Sequence, residues 1–510
     1  GDFGIGWTMD LRNVRLQKNR SLSRNWVQST TGSPWDLSLV YHLDAVNPRI
    51  VTITFPDGRV EKFQLMPDPM HQPLLPIEYP RWRFVPVGST RGSLVPAGYE
   101  QTDGEFLYFA GAIPGTADLF DLNQFYEGIF TGIPEEQLQR YPTLFQYTSA
   151  DGYHYLIDEI EGLQSVTDPN GNTLHIGLDE ITWRNDRAGT NSLAIAFQRD
   201  DRGRITNIVD RLGFSLTYTY DENGNLAAFR NRDSETNGYA YDANHRLVSL
   251  VDARGITVLT NGYDASGRLV ASGDAFGLVT GYTHDLQNRL SYTTNRLGYV
   301  TIREFDTYGN VVREVDPLGA VRTFEYDPNG NLVAKNNAAD CACAERYSYD
   351  AFDNRITETD AAGNTTTFTY NPLRKILTMR DPSGFTTTNT YDASGNLIST
   401  RDGAGQSVTF TYNNLGKVTS MSDSKGTTFY GYDEFGFLRS QTNALGHVTE
   451  YTVDANGNLL SQSTTVTRAD GLASYQRSKK GWQVAGDSAV PPAPVTNAVK
   501  VVMRYEYTPS

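Results

Sequence analysis

From Tyr220 onward one short phrase of residues returns at an almost fixed interval, and Tyr326-Asp327-Pro328-Asn329-Gly330-Asn331-Leu332 is a clear copy of it. Tyr-Asp starts stand at Tyr220, Tyr241, Tyr263, Tyr326, Tyr349, Tyr391 and Tyr432, with degenerate starts at His284, Phe305, Tyr370, Tyr412 and Val453. Successive starts lie 20 to 23 residues apart, so twelve copies keep one period. Such a period constrains the fold more than any other feature of the chain, because it dictates units that pack on their neighbours.

The segment Asp316 to Gly330 shows what one unit is. Two Asp-x-x-Gly punctuations bracket Ala-Val-Arg-Thr-Phe-Glu-Tyr. Asp accepts hydrogen bonds from the backbone just ahead of it, and Gly tolerates the positive φ that follows a type I turn. The residues between alternate in polarity, as a half-buried strand requires. Two strands of six or seven residues and two four-residue turns sum to about 21, which is one β-hairpin per repeat. Turn signals come too often for helices of ordinary length. Aromatic pairs such as Tyr218/Tyr220, Phe324/Tyr326, Phe368/Tyr370 and Phe410/Tyr412 fall at i, i+2 and share one face, which predicts a ladder of rings across the strands. Where the turn glycine is replaced, Asn288, Asp353 and His245 are the expected positive-φ residues, and Arg374 predicts a different turn. The repeat-defining structural positions are Tyr220, Asp221 and Gly224; Tyr263, Asp264 and Gly267; Tyr326, Asp327 and Gly330; and Tyr391, Asp392 and Gly395.

These Tyr-Asp-x-x-Gly-x-Leu copies, with Asp-x-x-Gly-x-x-Thr segments between them, resemble the YD repeats of the RHS family. That family includes bacterial polymorphic toxins, wall-associated toxins, shell subunits of insecticidal toxin complexes, and teneurins. The opening Gly1-Asp2-Phe3-Gly4-Ile5-Gly6-Trp7 is similar to the Phe-Gly-x-Gly-Trp segment that precedes the repeats in many members. The resemblance implies an all-β chain: a long, spiralling antiparallel sheet of repeated hairpins behind a β-rich N-terminal region.

The chain reads as five stretches. Residues 1–150 form a β-rich plug or cap, 151–217 hold worn repeats, 218–460 the array, 461–500 an insertion, and 501–510 the start of a further repeat. In the first stretch Ile50 to Phe63 reads as a hairpin around Pro56-Asp57-Gly58, Pro67 to Pro96 as irregular, and Pro134 as the start of a short helix. Cys341 and Cys343 sit in the one repeat stretched to 23 residues and point the same way from a strand, a poor geometry for bonding each other. They read as free thiols, with a disulfide to another part of the protein as the alternative. Both ends of the chain fall inside patterned segments, so it reads as a fragment of a larger protein.

The net charge of −15 argues against nucleic acid or an anionic membrane surface as a partner, and no 18-residue apolar run spans a bilayer. Seven scattered histidines give no metal spacing, and the Asp-rich turns lack the terminal Glu of a calcium loop. No Gly-x-Ser-x-Gly, phosphate loop or dinucleotide fingerprint occurs. No catalytic, cofactor or metal residue is assigned, and the chain reads as a non-enzyme. The aromatic faces suit either sugar binding or core stacking, with core stacking the simpler account.

About 24 strands at ~4.8 Å make a ribbon roughly 115 Å long, and open sheets beyond ~10 strands curl. The resemblance implies that the coil is a secreted shell, holding a C-terminal toxin domain as its own cargo and delivered with a secretion partner. The alternative is a teneurin-like adhesion module at the cell surface, binding a glycan or protein with its outer side.

Overall fold

The computed structural model describes residues 2–7, 12, 14–22, 26–45, 47–88, 90–97, 107–110, 115–121, 142–185, 193–337, 344–467, 475–478, 481–484 and 498–504. Cys341, Cys343 and the helix expected at Pro134 lie outside the described residues. Among the described residues there is no α-helix, Pro34–Asp36 forms a 3₁₀ turn, and every pairing is antiparallel. The chain divides into two units.

The N-terminal unit, Met9–Pro169 with Thr173–Gly177, is built from short strands. Arg15–Lys18, Ile50–Thr54, Val60–Leu65 and Phe84–Pro86 form one sheet. The hairpin expected around Pro56-Asp57-Gly58 is there, closed by Gly58 N–H on the Phe55 carbonyl at 3.0 Å. A second sheet orders His71–Pro73, Val40–Ala45, Trp26–Thr31, Gly115–Asp121 and Leu107–Ala110. The stretch Pro67 to Pro96 is thus less irregular than expected: it supplies His71–Pro73, Phe84–Pro86 and Ser93–Pro96, each kept short by its prolines. Alternation puts Leu16, Trp26, Leu43, Val51, Ile53, Phe63, Phe145 and Tyr147 into one dry core, and Trp26 donates its Nε1–H to the Leu22 carbonyl at 2.9 Å. Leu144–Thr148, His154–Asp158 and Gly162–Thr167 then pair in chain order as a meander.

The second unit holds Leu178–Ser510 together with residues 1–8 and 170–172. Here hairpin follows hairpin from Glu180–Asn185 to Leu459–Thr467, each strand paired with the next in sequence. In almost every Tyr-Asp hairpin the register shifts by one residue just before the tyrosine. Tyr326 thus sits opposite Leu332 while Glu325 sits opposite Ala334, which leaves Val333 as the extra residue of a bulge. The hairpin at His284-Asp285 departs, pairing Asp285 with Leu290 without a shift. Beyond the array, Leu459–Thr467 pairs with Ala498–Arg504, and Tyr475–Ser478 with Gly481–Val484 forms a hairpin of its own.

The two faces of each hairpin differ. One carries the Tyr and Phe side chains. The other carries serine and threonine hydroxyls joined across the strands, Thr369 to Thr378 at 2.6 Å and Thr411 to Ser420 at 2.7 Å among them. The expected ladder of rings is only partial. Phe324 faces Lys335, Phe368 faces Met379 and Phe410 faces Met421, so aliphatic stems interleave the rings, whereas Tyr218 and Phe229 meet directly at 5.3 Å. The repeat fixes aromatics on only one strand of each hairpin, and so the partner strand supplies what lies between them.

Candidate functional site

The working parts of this chain are its turns. In the copy at Asp327, Oδ1 accepts the backbone N–H groups of Asn329 and Asn331, both at 2.9 Å, and Oδ2 accepts the Asn331 amide at 3.0 Å. Gly330 N–H closes on the Asp327 carbonyl at 3.0 Å, with Gly330 at φ +87°. This is a type I turn followed by a left-handed residue, the three-residue hairpin loop. Asp221 accepts Asn225 N–H, Asp264 accepts those of Ser266 and Arg268, and Asp392 those of Ser394 and Asn396. Gly224, Gly267 and Gly395 lie at φ +88°, +85° and +78°. His245 and Asp353 take the same left-handed position, as expected. Two expectations fail. The left-handed residue after Asp285 is Arg289 rather than Asn288, because the unshifted pairing lengthens that loop by one residue. Arg374 keeps the common turn at φ +59°; its guanidinium donates to Asn354 Oδ1 and the Phe352 carbonyl of the neighbouring turn, offsetting the strain.

The tyrosine explains itself through its hydroxyl. Tyr326 donates to the Val311 carbonyl at 3.1 Å, Tyr263 to Leu247, Tyr349 to Leu332, Tyr391 to Ile376 and Tyr412 to Leu397, each at 2.7–2.8 Å; Tyr220 donates likewise to Ile205. The acceptor belongs to the apolar residue six places after the previous start. Pairing between Leu332–Asn336 and Ala344–Tyr349 begins only at Ala334, so the Leu332 carbonyl lies beyond the ladder and the phenol satisfies it. Each of these hydroxyls therefore ties one hairpin to the one before. Tyr326→Phe should cost about 1 kcal/mol, the usual net worth of such a bond, read as faster amide exchange confined to Val311–Val315 and Val321–Tyr326.

The same groups set the pH response. The carboxyls of Asp221 and Asp360 are held below the usual range first by the side-chain amides of Asn225 and Asn364, and that of Asp264 by the Arg268 backbone N–H. A carboxyl depressed in the folded chain stabilises above its unfolded value, ~3.9, and that contribution is lost as pH falls through the folded value. Burial pushes the Tyr220 phenol up to about 12 and raises those of Tyr326 and Tyr391. The neutral phenol is thus favoured by folding, and its contribution is complete below ~10 and lost as pH rises towards 12. The melting temperature should be flat between about pH 5 and pH 9 and should fall outside that window on both sides. A monotonic rise or fall across it would contradict the assignment.

The turns also join distant parts of the array. Asn170 and Asn396 exchange amide hydrogen bonds at 2.9 and 3.2 Å, and Asn172 donates to the Leu415 carbonyl at 3.0 Å. Asn185 donates to the Asn414 carbonyl at 3.3 Å, Asn456 donates to Asp210 at 2.8 Å, and the Arg211 guanidinium lies 4.4 Å from the Phe435 ring centre. The hydrogen-bonded partners are 226 to 246 residues apart, about eleven repeats. Asn170, Asp210 and Arg211 lie on Asp-x-x-Gly turns between hairpins; Asn396, Leu415, Phe435 and Asn456 lie at Tyr-Asp turns or their degenerate copies. One edge of the ribbon thus packs on the opposite edge about 22 strands later, so the ribbon coils. At ~4.8 Å per strand one turn is roughly 105 Å around and at least about 34 Å across.

Sequence reasoning missed this seam and also a buried ion cluster in the N-terminal unit, where the Arg59 guanidinium lies 3.8 Å from Glu61, beneath Tyr147 and Tyr155. Burial pushes the Glu61 carboxyl up, against the pull of Arg59. Among the described residues no group of three or more His, Cys, Asp or Glu could hold a metal ion, and no helix is long and apolar enough to cross a membrane.

A coil of antiparallel hairpins, punctuated by Asp-Gly turns and tied by tyrosine hydroxyls, defines a YD-repeat shell segment. The chain is similar to the RHS/YD-repeat family: residues 185–401 match the teneurin YD-shell, and residues 391–428 and 432–474 match the RHS repeat. It is 27% identical over 129 residues to the "Probable deoxyribonuclease RhsB" of Dickeya dadantii, covering 25% of this chain and 9% of that protein. It is 32% identical over 161 residues to the "Double-stranded DNA deaminase toxin A" of Burkholderia cenocepacia, covering 29% and 11%. Among solved structures, the TcdB2-TccC3 crystal structure aligns over 86% of this chain and 27% of its own at 12% identity and a TM-score of 0.41. The Tc holotoxin pore of Photorhabdus luminescens aligns over 88% and 29% at 13% and 0.39. The chain therefore spans about a tenth of the length of these curated relatives.

Proposed function

We propose that this chain is a wall segment of a larger secreted or surface-held protein, and that its coil encloses a C-terminal toxin domain of that same protein until delivery. The carrying observation is the seam. Turn carbonyls of one coil turn are bonded by asparagine amides of the other, which closes the wall edge to edge instead of leaving a slit. The toxin name of one relative and the nuclease name of another support the reading. In this role the repeat positions Tyr220, Asp221 and Gly224 and their counterparts are structural, and the wall itself performs no chemistry. A cargo of about 100 residues has a radius of gyration of ~13 Å, so covering it takes more than one turn of this coil.

Adhesion is the second reading, favoured by one observation. The turn-tip residues Phe276, Leu297 and Leu318 on three successive hairpins are 73–92% exposed along one edge, where an apolar surface would suit a protein or glycan partner. A cryo-EM map of the full-length protein decides between them. Density inside the coil that traces to the protein's own C-terminus is the expected result. A side-chain-filled or empty interior would sink the container and leave adhesion.

A further inference from the structure

On the later part of the coil, the Tyr-Asp edge is covered by the turn before it. On its first part, the same edge is covered by Asp2 to Trp7. The Ile5 N–H donates to the Gly224 carbonyl at 3.2 Å, the place in the turn next to that where Asn172 reaches the Leu415 carbonyl. The Asp2 carbonyl accepts the Ile205 N–H at 2.7 Å, and its carboxylate lies 3.0 Å from the Arg199 guanidinium. Phe3 packs on Tyr218 with ring centres 4.8 Å apart, and Trp7 donates its Nε1–H to the Tyr241 hydroxyl at 2.8 Å. The segment thus spans three successive Tyr-Asp-side copies.

The glycines repeat the parallel. A Cβ on Gly4 would stand 2.6 Å from the Gly224 carbonyl oxygen, and one on Gly416 would stand 2.4 Å from the Asn170 amide. The Gly4 contact is with backbone, at a distance only glycine allows, and that of Gly416 is with the side-chain amide that makes the seam. Gly4 also lies at φ +89°.

We infer that the Phe-Gly-x-Gly-Trp segment is an edge cap: it occupies the starting rim in place of a coil turn and thereby blocks that rim from taking the opposite edge of a second copy. An uncapped rim would present turn carbonyls and tyrosine faces in the arrangement that the Asp-x-x-Gly edge already fits within this chain. That Asp-x-x-Gly edge carries the exposed tips Phe276, Leu297 and Leu318, so two copies would join head to tail.

The test is made in the full chain, with Phe3→Ala and Trp7→Ala combined. Hydrogen exchange at the Ile205 amide should quicken on the order of tenfold, as for the loss of one hydrogen bond, while the amides of Leu397–Arg401 stay unchanged. Light scattering after gel filtration should show a mass that rises with concentration, and adding a synthetic peptide of residues 1–7 should return it to that of the parent chain. Unchanged exchange at Ile205 overturns the contact; faster exchange with a constant mass overturns the block. If the double variant fails to fold, Trp7→Phe, which keeps an aromatic ring and loses the Nε1 donor, carries the same readouts.

Discussion

Gly416→Val should open the seam, at a cost of about 2–3 kcal/mol from left-handed strain and lost hydrogen bonds together. Gly416 lies at φ +71°, where a β-branched residue is strained, and the new side chain would displace Asn170. Asn170 would then lose its reciprocal amide bonds with Asn396. The paired control is Gly319→Val. It carries the same strain at φ +85°, but its Cβ would meet nothing within 4 Å, so it should cost about half as much and stay local. Amide exchange distinguishes the two. The first variant should release the amides of Asn396 and Lys417 together, and the second only those of its own hairpin. Equal, local effects would mean that the seam contributes nothing.

Trp26→Ala has the larger expected effect, about 3–5 kcal/mol, because it empties the largest fully buried site of the N-terminal unit. The indole also satisfies the Leu22 carbonyl, and the Arg49 guanidinium sits 5.9 Å from its ring. Exchange at the Ile50–Thr54 amides should accelerate by two orders of magnitude or more, and the unit's unfolding transition should move down in temperature. A change under tenfold would mean that the core closes around the gap.

The local grammar of this fold was open to reading from the residues. Asp, Gly and a period near 21 determine a turn, and alternation between turns determines a strand, because each rests on contacts within a few residues. The tyrosine hydroxyl was less accessible. Its acceptor lies about 15 residues back and is free only because the register shifts at a bulge, which no composition reveals. Arg374 misled for a related reason: its left-handed strain is offset by Asn354 and Phe352, in another repeat. The seam was beyond reach, since Asn170 and Asn396 become neighbours only once the curvature of some twenty strands is known. In the opening segment the aromatic and glycine residues were conspicuous, but the rim they cover exists only once the hairpins that carry Ile205, Gly224 and Tyr241 stand side by side.

The seam also gives the coil a schedule. Each hairpin can settle on its predecessor as soon as it emerges, but Asn170 must wait for Asn396, 226 residues later. At a synthesis rate of ~5–20 residues per second, the first turn stands unsealed for roughly 10–45 s. During that interval Asp2 to Trp7, already off the ribosome, can cover the rim at Ile205, Gly224 and Tyr241. A shell of this kind is therefore closed by its own elongation, one winding late.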